Sequence, residues 1–129
     1  MNPESQSLIE QAATGSNDGS LHFSEVVQLL NEAGVESYSV DYRAGRTSYY
    51  LGEGAPYELP LDSAQLPSGD KFNRASLQAA IWGAQRGVLE YPEFSQRACA
   101  AGCVGYSVWL NGGSVTYFGR NGEVHREDF

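Results

Sequence analysis

The sequence AGVESYSV at residues 33–40 is followed 68 residues later by AGCVGYSV at residues 101–108. The match extends without a gap on both sides and aligns residues 8–54 with residues 76–122, keeping glycines, aromatic residues and the apolar pattern in step. Self-similarity at a fixed offset indicates a repeated structural unit. Because two copies are too few for a solenoid, the sequence predicts a single domain, residues 1–129, built from two similar units.

The repeat also predicts where the units begin and end. The first repeat is expected over about residues 4–54 and the second over about residues 72–122, with a linker at residues 55–70. Three of the 5 prolines in the chain lie in this linker, which is typical of a connecting segment.

Each unit is predicted to begin with two helices. Residues 23–34 have apolar side chains at the i, i+3, i+4, i+7 spacing of an amphipathic helix, and residues 91–102 are their counterpart in the second unit. Both segments end at a glycine, where helices commonly stop. Further helices are predicted over residues 3–13 and 71–86.

After each of these glycines the apolar period changes to two, which predicts strands. Tyr38, Val40 and Tyr42 lie on one face of the first strand, and Tyr106 and Val108 begin the same pattern in the second unit. The return strands are predicted at residues 46–51 and 114–119, and short third strands at residues 57–61 and 123–127.

The hairpin connections set the predicted register. Residues 43–45 and 111–113 are taken as three-residue loops, in which Gly45 and Gly113 need the left-handed conformation. This loop length pairs Tyr38 with Tyr50. The predicted fold class is therefore α+β, in which two tandem helix–helix–β-hairpin repeats form one antiparallel sheet with the helices packed on one face.

Composition limits the possible partners. The chain has 16 acidic and 8 basic residues and a net charge of −8, whereas nucleic-acid binding needs clustered Lys and Arg, so no nucleic acid is expected. The sequence has neither an apolar run long enough to span a membrane nor an N-terminal export signal, so no membrane partner is expected. The 2 cysteines make no disulfide framework. An acidic cytoplasmic domain is predicted.

Several motifs resemble a known family. Phe-x-Glu at residues 23–25, Ala-Gly-Val at 33–35, Tyr-x-Val-Asp at 38–41 and Tyr-Tyr at 49–50 resemble the YbcV/YdfO-like family of small prophage-encoded proteins, some of which carry the label "phage envelope protein". The segment from Tyr91 to Gly122 resembles the second half of that family. The resemblance implies an α+β domain of bacterial or prophage origin, and it brings no catalytic residues.

No combination of residues predicts a metal, a cofactor or a catalytic centre. Residues 14–25 imitate a calcium loop, but Thr14 and Ser16 stand where carboxylates are needed. Cys99 and Cys103 are interpreted as buried apolar side chains, since no histidine is grouped with them to complete a zinc site. No nucleophile is paired with an oriented base, so the sequence favours a non-catalytic protein.

The outer face of the predicted sheet is the candidate binding site, because the predicted register places aromatic side chains there and exposed aromatic patches mark interfaces. The candidate binding residues are Ser39, Asp41, Tyr49, Ser107, Trp109 and Tyr117. Partner binding and homodimer formation explain such a face equally well. The leading hypothesis is a prophage-type accessory protein that binds a protein partner, with its negative charge steering it toward a basic surface. The alternative is a small-molecule binder or an enzyme with a pocket at the interface between the repeats.

Overall fold

A computed structural model describes residues 2–61 and 66–129, and in these residues two helices and three strands occur twice in succession. The helices are α1 (Pro3–Asp18), α2 (Phe23–Glu32), α3 (Arg74–Gln85) and α4 (Tyr91–Ala100). The strands are β1 (Ser37–Asp41), β2 (Arg46–Tyr50), β3 (Tyr57–Pro60), β4 (Cys103–Trp109), β5 (Ser114–Gly119) and β6 (Val124–Asp128).

The strands form one sheet in the order β3-β2-β1-β4-β5-β6, and every neighbouring pair is antiparallel. The predicted α+β fold is confirmed. Strand β3 lies inside the segment predicted as a linker at residues 55–70, so that segment is not merely a connection. Residues 62–65 of the predicted linker lie outside the described residues.

Local hydrogen bonds explain where the helices begin. The Asn2 side chain accepts a hydrogen bond from the Ser5 amide at 2.7 Å, and the Asn73 side chain accepts one from the Ser76 amide at 3.0 Å. Helix α1 extends to Asp18, which places the first residues of the calcium-like segment in a helix instead of a loop. That segment therefore does not have the backbone of a calcium loop.

The helices cover one face of the sheet, which we call the inner face; the opposite face is the outer face. The inner-face residues Tyr42 and Tyr106 donate hydrogen bonds to Ser95 and Tyr91 of α4, at 3.2 and 2.9 Å. The side chains that are most completely buried lie between the two layers. They include Ile9, Leu30, Leu77 and Val108.

The predicted hairpin register is wrong by one residue. Tyr38 lies opposite Tyr49 and not Tyr50, and Asp41 lies opposite Arg46, so the loop has four residues, 42–45. The Asp41 carboxylate accepts hydrogen bonds from the backbone amides of residues 43 and 44 at 2.9 and 3.0 Å, which stabilises this longer turn. The second hairpin has the same register, because Trp109 lies opposite Ser114.

One part of the hairpin prediction is confirmed and another is overturned. Gly45 and Gly113 have φ values of 71° and 67°, the left-handed conformation expected of them. A one-residue change of register moves every side chain of a strand to the other face. Tyr49 and Tyr117 therefore lie on the inner face, where they are 5% and 6% exposed, and not on the outer face.

Strands β1 and β4 form the seam between the two halves of the sheet. At its centre Ser39 lies opposite Ser107, and their hydroxyl oxygens are 2.8 Å apart. These two residues are 68 positions apart, the same offset that aligns the halves in the sequence. A twofold axis through the seam would produce this arrangement. Descent of the two halves from one duplicated unit stays a prediction.

Candidate functional site

The six residues predicted as a binding surface do not form one surface. Ser39, Asp41, Ser107 and Trp109 lie on the outer face, whereas the two tyrosines lie among the buried side chains of the inner face. Trp109 is 45% exposed, and its indole nitrogen donates a hydrogen bond to the Thr116 hydroxyl at 3.3 Å.

The sequence analysis missed one exposed aromatic residue on the outer face. Tyr50 lies opposite Ser37, which lies opposite Trp109 on its other side, and Tyr50 is 42% exposed. The outer face therefore has two exposed aromatic side chains on either side of a serine.

A cavity of about 510 Å³ lies between the helices and the inner face of the sheet. Strand pairing arranges the side chains of the inner face in two rows that run across all six strands. The first row is Tyr57, Tyr49, Tyr38, Val108, Val115 and Glu127. The second row is Leu59, Thr47, Val40, Tyr106, Tyr117 and His125. All of these residues except Tyr57 and His125 line the cavity.

Both halves of the chain supply the helical side of the cavity. Apolar side chains such as Val26, Leu30, Ile81 and Phe94 face it from α2, α3 and α4. Residues of the two helix–helix corners, including Leu21 and Leu89, also line it. The lining of the cavity therefore includes residues of both halves of the chain.

Three tyrosine hydroxyls on the cavity wall have no partner. No described residue forms a hydrogen bond with the hydroxyl of Tyr38, Tyr49 or Tyr117, although each residue is at most 7% exposed. The tyrosine side chains are buried, but their hydroxyl oxygens reach the open space of the cavity, since Gln78 Nε2 alone among the described side-chain N and O atoms is buried without a partner. Tyrosines in such places usually direct the hydroxyl at a hydrogen-bond partner. These hydroxyls are therefore available to a bound molecule.

Burial keeps these phenols neutral. It raises the pKa of Tyr38, Tyr49 and Tyr117 above the ordinary value of 10.0. The neighbouring Cys103 and Glu127 add to the effect at Tyr117, because nearby negative charge disfavours a phenolate. Each hydroxyl can consequently donate or accept a hydrogen bond at neutral pH.

The two ends of the inner face are tied to the helices by different groups. At the first end the Tyr57 hydroxyl donates to the Glu10 carboxylate of α1 at 3.2 Å. At the second end His125 Nε2 lies 3.1 Å from Gln78 Oε1 of α3 and 2.9 Å from Glu127 Oε1.

The charged side chains around the cavity are mainly acidic. Among the described residues, the ionisable groups that line it besides tyrosine are Glu10, His22, Glu90, Glu127 and Asp128, and neither Lys nor Arg is among them. Such walls repel an anion and accept a neutral or cationic molecule.

The cysteines are not placed for chemistry. Cys99 and Cys103 are fully buried, which confirms their interpretation as apolar side chains. Burial raises the pKa of the Cys99 thiol to about 12 and that of Cys103 to about 11, so neither is a thiolate at neutral pH. Within the described part of the chain, no group of three or more His, Cys, Asp or Glu residues could hold a metal ion.

A family model described as "Protein of unknown function (DUF1398)" matches residues 11–128. The chain belongs to the DUF1398 family. No curated protein matches this DUF1398 chain. In the described residues of the DUF1398 protein, no helix has both the length and the apolar character needed to cross a membrane.

Proposed function

We propose that this DUF1398 protein is a non-catalytic protein that binds a small organic molecule in the cavity between its helices and its sheet. The observation that carries the proposal is the set of three tyrosine hydroxyls, on Tyr38, Tyr49 and Tyr117, that face the cavity and have no hydrogen-bond partner among the described residues. A bound molecule with polar groups would satisfy them.

The size and chemistry of the cavity support this function. Ligand sites in proteins have volumes of roughly 300–1,000 Å³ and combine apolar walls with a few polar groups that orient the ligand. The volume of about 510 Å³ lies within that range. Its wall consists of aliphatic and aromatic side chains interrupted by phenol hydroxyls, which suits a molecule that has both an apolar body and hydrogen-bonding groups.

The register supports this proposal over the leading hypothesis of the sequence analysis. A partner site on the outer face depended on Tyr49 and Tyr117, and both belong to the cavity instead. We retain a prophage origin and a cytoplasmic location as parts of the proposal. Both are inferred from the sequence.

The test is a screen followed by a matched set of variants. A metabolite panel is screened for compounds that raise the melting temperature, since a ligand that binds only the folded state stabilises it. Hits are then measured by isothermal titration calorimetry with the wild type and with the triple variant Y38F/Y49F/Y117F. We expect the triple variant to lose at least about tenfold in affinity.

The control is Y50F, which removes a tyrosine hydroxyl from the outer face and should leave the affinity unchanged. Without ligand, the triple variant should be at least as stable as the wild type, because it removes hydroxyls that have no protein partner. Equal binding by the triple variant and the wild type, or a panel without any stabilising compound, would contradict the proposal.

A second candidate function is partner binding or self-association through the outer face. It is favoured by the exposure of Trp109 and Tyr50 on either side of Ser37, since exposed aromatic residues are common at interfaces. Light scattering coupled to size-exclusion chromatography tests it. A dimer that dissociates in the W109S/Y50S variant would support this function, and a monomer at all concentrations would rule out self-association.

A further inference from the structure

We propose that the molecule bound in the cavity is a small organic cation, whose ammonium group binds beside Glu127 and whose apolar or aromatic body lies on the tyrosine rings. This inference rests on the proposed function and adds the chemical class and the orientation of the ligand.

The charge of the cavity disfavours an anionic ligand. The described residues that line it include four carboxylates and neither Lys nor Arg, so an anionic ligand would meet no counter-charge. A cation in the same place would be attracted to the carboxylates, and a partly buried position screens that attraction less than open water does.

Glu127 is the carboxylate best placed to bind a cation. Of the four carboxylates that line the cavity, Glu10, Glu90 and Asp128 are exposed. Glu10 also accepts a hydrogen bond from Tyr57, and Asp128 pairs with Arg126 at 3.2 Å. Glu127 lies on the inner face, and its side chain is only 21% exposed. Its Oε1 contacts His125, whereas Oε2 has no hydrogen-bond partner in the described part of the chain.

A second, independent group at the same end of the cavity is without a partner. The Tyr117 hydroxyl belongs to a side chain that is 6% exposed, and it lines the cavity together with Glu127. Glu127 and Tyr117 are near enough for the carboxylate to affect the phenol electrostatically. A carboxylate oxygen and a phenol oxygen together offer two acceptors to an ammonium group.

Aromatic rings lie beside these acceptors. The ring centroids of Tyr106 and Tyr117 are 5.4 Å apart, and Phe94 lies 6.3 Å from each of them. The face of an aromatic ring attracts a cation, by about 0.5–2 kcal/mol when water is partly excluded. The same rings would pack against the apolar body of the ligand.

The two ends of the cavity determine the orientation of the ligand. The position that matches Glu127, 68 residues earlier, is Leu59, which also lines the cavity. The carboxylate at the leucine end, Glu10, is exposed and bonded to Tyr57, whereas Glu127 is partly buried. The ammonium group therefore belongs at the glutamate end, and the apolar body extends toward the tyrosines of the first half.

Three probes with one aromatic body and different charges test the inference. They are 2-phenylethylamine, 2-phenylethanol and 3-phenylpropionate, each titrated into the full chain carrying ¹³C-labelled tyrosine rings and followed by NMR. We expect the amine to bind about tenfold more tightly than the alcohol, because a charge-assisted hydrogen bond is about twice as strong as a neutral one. The carboxylate should bind more weakly than the alcohol.

The variant E127Q identifies the group responsible, since glutamine keeps the shape and a carbonyl acceptor for His125 but removes the charge. We expect E127Q to abolish the tenfold preference for the amine and to leave the affinity for the alcohol unchanged. The matched control is E58Q, which removes an exposed carboxylate of β3 that pairs with Arg46 on the outer face. It should keep the preference.

The outcomes separate this inference from the proposed function. Equal affinity for the amine and the alcohol, or a preference for the amine that survives in E127Q, would overturn the cation proposal. The proposed function would stand in both cases, because the cavity would still bind the probes. If none of the three probes shifts the tyrosine resonances, the cation inference fails, and the metabolite panel decides separately whether the proposed binding function fails as well.

Discussion

The two halves of the inner face are alike at the centre of the sheet and different at its ends. Tyr38 and Tyr49 in the first half match Tyr106 and Tyr117 in the second, 68 residues later. The two pairs occupy equivalent places when one row is counted from β3 and the other from β6. At the ends, Tyr57 and Leu59 of β3 match His125 and Glu127 of β6, where the first half has a phenol and an apolar side chain and the second has an imidazole and a carboxylate.

This difference shows that carboxylate and imidazole side chains occur at an edge of the inner face and not at its centre. Central strands are packed on both sides by other strands, so their inner-face residues have to fit a dense core. The edge strands β3 and β6 have one neighbour each, and polar groups there reach a helix: Tyr57 contacts Glu10 of α1, and His125 contacts Gln78 of α3. The halves thus share their packing residues and differ in their polar groups.

The largest expected effect compares two matched glycines, Gly34 and Gly102, which both have positive φ. A Cβ at Gly102 would overlap the Lys71 carbonyl oxygen, whereas a Cβ at Gly34 would meet no atom within 4 Å. We expect G102A to lower the free energy of unfolding by about 3 kcal/mol or more, because strain and overpacking add. G34A should cost about 1–2 kcal/mol from strain alone.

Urea unfolding followed by circular dichroism measures both variants. The backbone hydrogen bonds from Gly69 to Cys99 and from Asn73 to Ala101 place the segment at residues 69–73 over the end of α4. Equal losses of unfolding free energy in G34A and G102A would contradict that placement.

The next prediction compares the ends of the sheet. H125F removes a hydrogen-bond partner from both the Glu127 carboxylate and the Gln78 amide. The Gln78 Nε2 is already buried without a partner among the described residues. We expect H125F to lower the free energy of unfolding by about 2 kcal/mol, since a buried polar group that loses its partner costs 1–3 kcal/mol. Y57F removes one hydrogen bond at a more exposed place and should cost clearly less.

Denaturant titrations of H125F and Y57F under identical conditions decide this comparison. A larger loss in Y57F than in H125F would mean that the first end, and not the second, holds the helices on the sheet.

The smallest effect concerns the cysteines, which only the second half has. C103V places there the valine found at the matched position, Val35, and should change the stability at pH 7 by less than about 1 kcal/mol. A difference in stability between the wild type and the cysteine variants should appear at alkaline pH. Burial raises the folded-state pKa of the Cys99 and Cys103 thiols above the ordinary value of 9.0, so the folded protein holds protons that the unfolded chain releases.

The stabilisation from the thiols is complete below pH 9 and is lost as the pH rises toward 11 and 12. The buried tyrosines act in the same direction from pH 10, their ordinary pKa. In the double variant C99A/C103V the decline of the unfolding free energy should therefore begin nearer pH 10. An unchanged onset in unfolding curves between pH 7 and 11 would show that the thiols do not contribute.

Much of the framework could be predicted from the sequence. The 3.6-residue period of residues 23–34 and 91–102 and the glycines after them predicted α2 and α4 closely, and the two-residue period predicted all six strands. These features depend on local patterns, and the structure keeps them.

The cavity could not be predicted, because it depends on a register that a loop of unknown length determines. The three-residue loop placed Arg46 on the face covered by helices, and the cost of burying an unpaired guanidinium was a signal against it. The structure exposes Arg46, which pairs with Glu58 at 3.3 Å. The turn signal was also present, since an Asp such as Asp41 commonly accepts hydrogen bonds from the amides that follow it. Reading either signal would have moved Tyr49 and Tyr117 to the inner face.

The seam at Ser39 and Ser107 has a consequence for how two molecules can meet. The seam joins β1 of the first half to β4 of the second half, so β4 of a second molecule offers β1 the same edge. Exchanging halves would replace every seam contact by an equivalent one and lose no hydrogen bond. Concentrated or partly unfolded protein therefore has a direct route to a domain-swapped dimer, in which β1 of one molecule pairs with β4 of another.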